Sequence, residues 1–374
     1  MSLGCNPARL LTIPHILALA VLILPGPAFG WGRDGHRIVA VIAADNLTPA
    51  ARSHVANILG VPADPKAIAS AMESASTRPD EARFREEYPA TKPWHFIDIC
   101  LKDRRDDIAR ECRGGNCVTD KIDEFSKRLK QGNYDRWGAA GDLAFLIHFV
   151  GDIHQPLHAA NDADKGGNCI RVESYPRAEN LHDAWDNAIV RGLEDSIDSG
   201  RPEPGAHKLE QTYAGEKALD TWNPGHTEDI AWESHQIARA EIYAPLHIPV
   251  EPCESQVLCE VKPQVELNSA YMDHAEVIAG HQLAKAGFRL ASLLNQTWPQ
   301  PVSPEENPPA ANSAPAQSLS NQASAGPIVG NRRSRIFAWP GCGSYDSMAP
   351  QNRVVFPSAD EARQAGYRAA FNCP

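Results

Sequence analysis

The stretch LIHFVGDIHQPLH, Leu146 to His158, constrains this chain more than any other, because it puts two histidines and an aspartate on one helix and its exit loop. His148 and Asp152 are four residues apart and so share a helical face. Pro156 then breaks the hydrogen-bond ladder and lets His158 turn toward a second ion. Imidazole nitrogen and carboxylate oxygen at this spacing are metal ligands, and the mixture favours zinc. The four-residue spacing recurs in NLHDAWD, between His182 and Asp186, and KPWHFID sets His95 beside Asp98.

WGRDGH, Trp31 to His36, follows an apolar segment that reads as an export signal. Arg9 is the only basic residue of that segment, the run from Ile16 to Leu24 is apolar, and Ala28-Phe29-Gly30 has the small-x-small form of a cleavage site. The run is too short to span a bilayer and Cys5 precedes it, so export without an anchor is expected. Cleavage frees Trp31, whose amine and carbonyl could close a chelate on a metal that His36 also reaches. Equally, Trp31 could simply start the mature chain.

Apolar residues recur at three and four in HRIVAVIAADNL, AARSHVANILG, TDKIDEFSKRL, AGDLAFLIHFVGDI, NLHDAWDNAIV, TEDIAWESHQIARAEIY and the long run ending FRLASLLN. No alternating pattern competes, so an all-α, single multi-helix domain is expected over 31–297, with ligands projecting inward from several helices. Residues 298–330 are rich in Pro, Ser and Ala and read as a disordered linker. Residues 331–374 regain aromatic content and form a small module with Cys342 and Cys373 near its ends. Arg332, Arg333 and Arg335 would let it dock polyanions, or it serves stability or attachment alone.

Nine cysteines become eight once the signal is removed, an even number suited to disulfides in an exported protein. Short loops suggest Cys112 with Cys117, Cys253 with Cys259 and Cys342 with Cys373, leaving Cys100 for Cys169. A cysteine zinc site is disfavoured, since no CxxC occurs. The formal charge of −11 is unusual for a nucleic-acid binder, so any such affinity must come from the metal centre and be weak and local.

Taken together, WGxxGH, WHFID, HFxGDxHQPLH, GGN and NLHxxWD resemble, in order, the trinuclear zinc nucleases and 3′-nucleotidases of the nuclease S-one/P-one type, over about Trp31 to Asn295. The resemblance implies three zinc ions per chain. Trp31, His36 and Asp152 would hold one; Asp152 would bridge to a second on Asp80, His95 and His148; His158, His182 and Asp186 would take the third. It departs at Ser76 to Arg83, where the family's tryptophan is missing but Asp-x-x-Arg survives as Asp80 and Arg83. Arg83 would clamp the scissile phosphate, or else form an exposed helical ion pair. Asn168, in GGN, would lie near a base pocket, or merely steady a Gly-Gly turn.

The function so implied is hydrolysis of single-stranded DNA and RNA to 5′-phosphorylated products by metal-activated water, with 3′-nucleotidase activity, and with Asp80, Arg83 and Asp152 as catalytic residues. Its partners would be single-stranded nucleic acid and 3′-nucleotides, with no stable protein partner and no membrane, in a secreted or periplasmic monomer. One rival is a zinc-dependent phospholipase C, a type related to this family in fold. It is disfavoured because those enzymes carry Glu where Asp186 stands and no membrane-binding stretch is evident. The other is a metal-dependent nucleotide-binding protein without turnover. His54, His207, His235, His247, His274 and His281 read as surface or capping residues. His226 stands apart from that group, as does His154, which is given an indirect or substrate-side role at the metal block. Asn46-Leu-Thr and Asn295-Gln-Thr are glycosylation sequons if the host glycosylates.

Overall fold

The computed structural model describes residues 31–81, 88–174, 176–195, 201–215, 227–250, 253, 264–300, 328–332, 336–338, 350–358, 361–362, 365 and 367–369. Two compact units are present, Met1–Val302 and Ser303–Pro374. The first is helical, as the periodicity predicts. Its helices are α1 (Arg33–Asp45), α2 (Pro49–Leu59), α3 (Pro65–Ser76), α4 (Val118–Gln131), α5 (Gly138–His154), α6 (Ile189–Asp195), α7 (Pro202–Thr212), α8 (Thr227–Ile237) and α9 (Ser269–Thr297), besides shorter turns.

Local chemistry sets several of these boundaries. Thr48 caps α2 by accepting from the Ala51 amide, with Pro49 at the first helical position, and Gly60 ends the helix at φ 68°. Asp64 and Pro65 repeat the device at α3, and Asn268 caps α9. Pro156 ends α5, after which Pro156–Ala159 form a 3-10 turn.

α5 lies at the centre. Every residue from Asp142 to His154 is buried, so its polar residues are held inside the core. α1 packs on α3 and α9, and α5 on α4, α3 and α9. The α1–α9 crossing depends on Gly287, where a Cβ would lie 2.5 Å from Ile42. One parallel pair, β1 (Val172–Glu173) on β2 (Val265–Glu266), falls inside the helical unit. At two residues each, these strands leave no alternation to read.

The disulfides correct part of the expected pairing. Cys112–Cys117 is present, but Cys100 joins Cys253, which excludes both Cys100–Cys169 and Cys253–Cys259. Cys169 is also disulfide-bonded. The reason is spatial: Cys100 bridges in β fashion to Asn161, whose carbonyl the Cys253 sulfur approaches at 3.2 Å. Short loops favoured neighbours in the chain, whereas the tertiary fold returns a distant segment to this point. Cys259, Cys342 and Cys373 lie outside the described residues.

The second unit carries a four-stranded sheet in the order β5 (Arg353–Phe356), β3 (Ile328–Asn331), β4 (Ile336–Ala338), β6 (Arg368–Ala369). Its first two pairings are antiparallel and β4–β6 is parallel. Ile328, Phe337, Phe356, Ala362 and Tyr367 make its small core.

Candidate metal centre

Two long helices, three 3-10 turns and one short helical segment that runs into a π turn bring the expected ligands together. α1 supplies His36, α5 supplies His148 and Asp152, and the 3-10 turn Arg78–Asp80 supplies Asp80. The turns Pro89–His95 and Pro156–Ala159 supply His95 and His158. His182 and Asp186 come from Leu181–Asp183 and the π turn Ala184–Ala188. Ligand atoms within 4.8 Å of one another form three groups: His36, His148 and Asp152; Asp80, His95 and His148; His158, His182 and Asp186. A fourth group, Cys112, Cys117 and Asp120, is set aside because its sulfurs are already joined.

Asp152 is the hub. Its Oδ1 lies 3.3 Å from His36 Nε2, and its Oδ2 lies 3.0 Å from His95 Nδ1 and 3.3 Å from His148 Nε2. Asp80 closes the second group at 3.7 Å from His95 Nδ1 and 3.6 Å from His148 Nε2. Asp186 Oδ2 is 3.4 Å from His182 Nε2.

Backbone carbonyls orient the rings. His148 Nδ1 donates to Ser76 O at 2.7 Å, His158 Nδ1 to His95 O at 2.7 Å and His182 Nδ1 to Gly166 O at 2.6 Å. With their protons committed there, all three present Nε2 lone pairs inward. His158 Nε2 and His182 Nε2 then face each other at 3.1 Å, placed so that one cation could be shared between them. Both ring nitrogens of His36, Asp152 Oδ1 and His95 Nε2 are buried without a hydrogen-bond partner among the described residues. Orphaned groups of this kind cost about 1–3 kcal/mol each, and a bound cation removes much of that cost. The donor set therefore fits divalent metal, with nitrogen and oxygen in the mixture that zinc accepts.

Protonation follows the same burial. Desolvation pushes His148 down to about 3, so its ring stays neutral and able to ligate. Burial acts to raise Asp152, but the surrounding His148, His36 and His95 rings outweigh it and hold the carboxyl well below its ordinary range. Burial raises Asp186 well above its ordinary value despite the bond from Gln155 Nε2 at 2.6 Å. Beyond His95, burial with Glu111 and Asp164 raises Asp98 to about 6.

Glycines make room for this packing. A Cβ on Gly151 would lie 2.7 Å from His36 Nδ1, and one on Gly35 would lie 2.7 Å from the Trp31 Cβ. Gly151→Ala is accordingly expected to tilt the His36 ring and lower both metal affinity and turnover by about 10- to 100-fold. Metal titration of the folded variant checks this, and unchanged affinity would show that the ring has room to move.

Trp31 is fully buried, and the next amide, Gly32 N, donates to Asp186 O at 2.8 Å. The start of the described chain is thus tied to the His182–Asp186 segment. Asn168 Nδ2 donates to Lys165 O at 2.7 Å within a turn where Gly166 and Gly167 have φ of 61° and 84°. Arg83 and His226 lie outside the described residues.

His154 does not face the ligands. Its Nδ1 donates to Val150 O at 2.7 Å and its Nε2 accepts from Arg289 at 3.1 Å, in a network where Glu233 pairs with Arg289 and Lys285. His235, expected at the surface, is fully buried against Ala159 O at 3.1 Å. His207 and His274 are at the surface, as expected, and pair there with Asp45 and Glu241. Neither sequon presents a free amide: Asn46 donates to Ile42 O and Glu210, and Asn295 donates to Asn46 O.

Burial lowers His235 from 6.5 to about 4, so between those values the unfolded chain binds a proton that the folded chain refuses. Stability therefore falls as pH drops through that window, by about 3 kcal/mol at most for this group. Burial acts to raise Glu233, yet Arg289 and Lys285 hold it at about 2, and its contribution is lost only below 4.5. The thermal midpoint of chelator-treated protein should decline from pH 6.5 to 4, less so for His235→Gln. A flat profile would count against this account.

Sequence reasoning gave no role to Gln155, although it lies inside the HQPLH block. Its Nε2 holds Asp186 and its Oε1 accepts from Leu157 N at 2.7 Å, steadying the turn that carries His158. His36 and Asp80 also line a cavity of about 510 Å³ with Gly32, Arg33, Thr77, Glu81 and Asn187, a volume suited to a small ligand.

Comparison with known proteins gives two family matches: S1/P1 Nuclease over residues 31–299 and Metal binding domain of Ada over residues 317–374. Endonuclease 2 of Arabidopsis thaliana is 28% identical over 309 residues, covering 78% of this chain and 99% of that protein. Nuclease S1 of Aspergillus oryzae is 28% identical over 304 residues, covering 77% and 100%. Nuclease P1 of Penicillium citrinum is 27% identical over 282 residues, covering 71% and 97%.

Proposed function

Because this chain belongs to the S1/P1 nuclease family, we propose that it is an exported endonuclease that hydrolyses single-stranded DNA and RNA to 5′-phosphorylated products, with 3′-nucleotidase activity. The observation that carries this reading is the convergence of three histidine–aspartate groups, two of which reach the lining of a cavity through His36 and Asp80. Relatives named endonuclease and nuclease, aligned over nearly their full length, support it.

Three zinc ions would be held by Trp31, His36 and Asp152, by Asp80, His95, His148 and the shared Asp152, and by His158, His182 and Asp186. Zinc so held supplies Lewis acidity toward phosphate oxygens and lowers the pKa of water toward neutrality. The chain's own residues do the rest. Asp152, kept ionised by its ring of imidazoles, brings two of the groups within one carboxylate's span. The Ser76, His95 and Gly166 carbonyls fix the tautomers, so no reorientation is needed when substrate arrives. Gln155 holds Asp186 in register. Arg83 is proposed to clamp the scissile phosphate with a bidentate guanidinium, and Asn168 to contact the substrate near the base.

A single strand suits such a site, since an unstacked nucleotide can reach the floor of a cavity that a stiff duplex cannot enter. The partners proposed are single-stranded nucleic acid and 3′-nucleotides, acted on by a monomer. Disulfides within the helical unit accord with an oxidising compartment, and cleavage of the signal before Trp31 would deliver the protein there. The module matching the metal binding domain of Ada has two cysteines and no histidine within 317–374, fewer such donors than a four-ligand zinc site takes. We assign it a stabilising or attachment role.

The test is product analysis on single-stranded DNA, RNA, duplex DNA and phosphatidylcholine, with and without chelator. Chelator-sensitive release of 5′-phosphorylated fragments from single strands is expected. Release of a lipid headgroup instead would turn the assignment to a phospholipase.

A further inference from the structure

The cavity beside His36 and Asp80 has an uneven rim. Apart from His36, its ionisable lining among the described residues comprises Asp80, Glu81 and a single strong base, Arg33. Asp80 belongs to the ligand groups. Glu81 repels any phosphate that approaches its side. Arg33 lies opposite in character, with an exposed side chain in the first turn of α1 and no carboxylate paired with it among the described residues. Its neighbour Arg37, one turn on, is by contrast tied to Asp34 and Glu73.

Arg33 is also anchored in a particular way. It stands two residues after buried Trp31 and three before His36, and Gly32 is pinned to Asp186 O at 2.8 Å. A Cβ on Gly32 would lie 2.1 Å from Asn187 Oδ1, so the backbone here has almost no freedom to slide. The result is a long, exposed guanidinium on a fixed base in the lining of the cavity. A phosphodiester bound at the cavity floor is followed along the strand by further phosphates, and the net charge of −11 leaves few places where these would be welcome.

We propose that Arg33 is a positioning residue that binds the phosphate flanking the scissile one in a single-stranded polynucleotide, and so separates polymeric from monomeric substrates. This rests on the nuclease reading above. A side chain at the rim acts on binding of the strand more than on the chemical step, so it should move KM and leave kcat comparatively unaffected. Neutralising one phosphate contact on a single strand should also reduce the slope of log affinity against log salt by about 0.7.

The experiment compares the zinc-loaded full chain with Arg33→Ala and Arg33→Lys, on oligothymidylate and on bis(p-nitrophenyl) phosphate, which has no flanking phosphate. For Arg33→Ala the KM for oligothymidylate should rise by roughly threefold to tenfold, with a much smaller change for the small diester, and Arg33→Lys should recover part of the loss. Zinc content should equal that of the parent. Equal shifts on both substrates, or an unchanged KM and salt slope, would overturn the proposal, as would a loss of activity that tracks lost zinc. If the parent cleaves neither substrate, the nuclease reading fails by itself. Anisotropy of labelled oligothymidylate on the same zinc-loaded proteins then decides the role of Arg33, with equal affinities for parent and Arg33→Ala counting against it.

Discussion

Asp152→Asn should strip the centre of metal and reduce phosphodiester hydrolysis by on the order of 10³ or more, the largest effect expected of any single substitution in this chain. The amide keeps the shape of the carboxylate but removes its charge and replaces one acceptor with a donor. At this position the loss is felt three times over, because His36, His95 and His148 all lie within 3.3 Å of Asp152 oxygens. Asp152 itself is fully buried, so bulk solvent cannot stand in for the missing charge. Zinc per chain, measured by elemental analysis on folded protein, should fall together with turnover. Full zinc occupancy with ordinary turnover would remove Asp152 from the centre of the scheme.

Residues retained ahead of Trp31 should leave the protein one zinc short. An internal Trp31 has an amide in place of an amine and cannot offer the same nitrogen to a metal. Trp31 is fully buried, Gly35 leaves just enough space for its Cβ, and Gly32 is bonded to Asp186 O, so the residue that would offer the amine is already held beside the ligand groups. The comparison is between protein beginning at Trp31 and protein carrying a short extension, with zinc content as the readout and nuclease activity beside it. Equal zinc in both would take the amino terminus out of the ligand set.

Both predictions concern residues legible in the sequence. His148 and Asp152 share a helical face because four residues make about one turn, and the fold keeps them on α5 as that spacing requires. His182 and Asp186 keep their spacing even though the segment passes into a π turn. Asp80 was harder to read, since its surrounding tryptophan is absent, yet the Arg78–Asp80 turn carries it to His95 and His148. Other features could not be read. The Cys100–Cys253 bond joins residues 153 apart through a chain return that no local pattern announces. His235 carries a helical context suited to the surface but turns into the core. Gln155 and Arg33 lie inside recognised blocks, but their roles depend on what faces them across the site.

The division has a physical cause. Helical spacing, capping and the break at Pro156 are local matters, decided by covalent geometry within one turn, and a bare sequence determines them. The meeting of α1, α5 and the turns bearing Asp80, His95, His158 and His182 depends on burial summed over the whole core. Only the tertiary structure decided which carbonyl fixes each imidazole, which cysteines pair and which arginine lines the cavity. Those contacts join residues distant in the chain, and no periodicity along the chain encodes them.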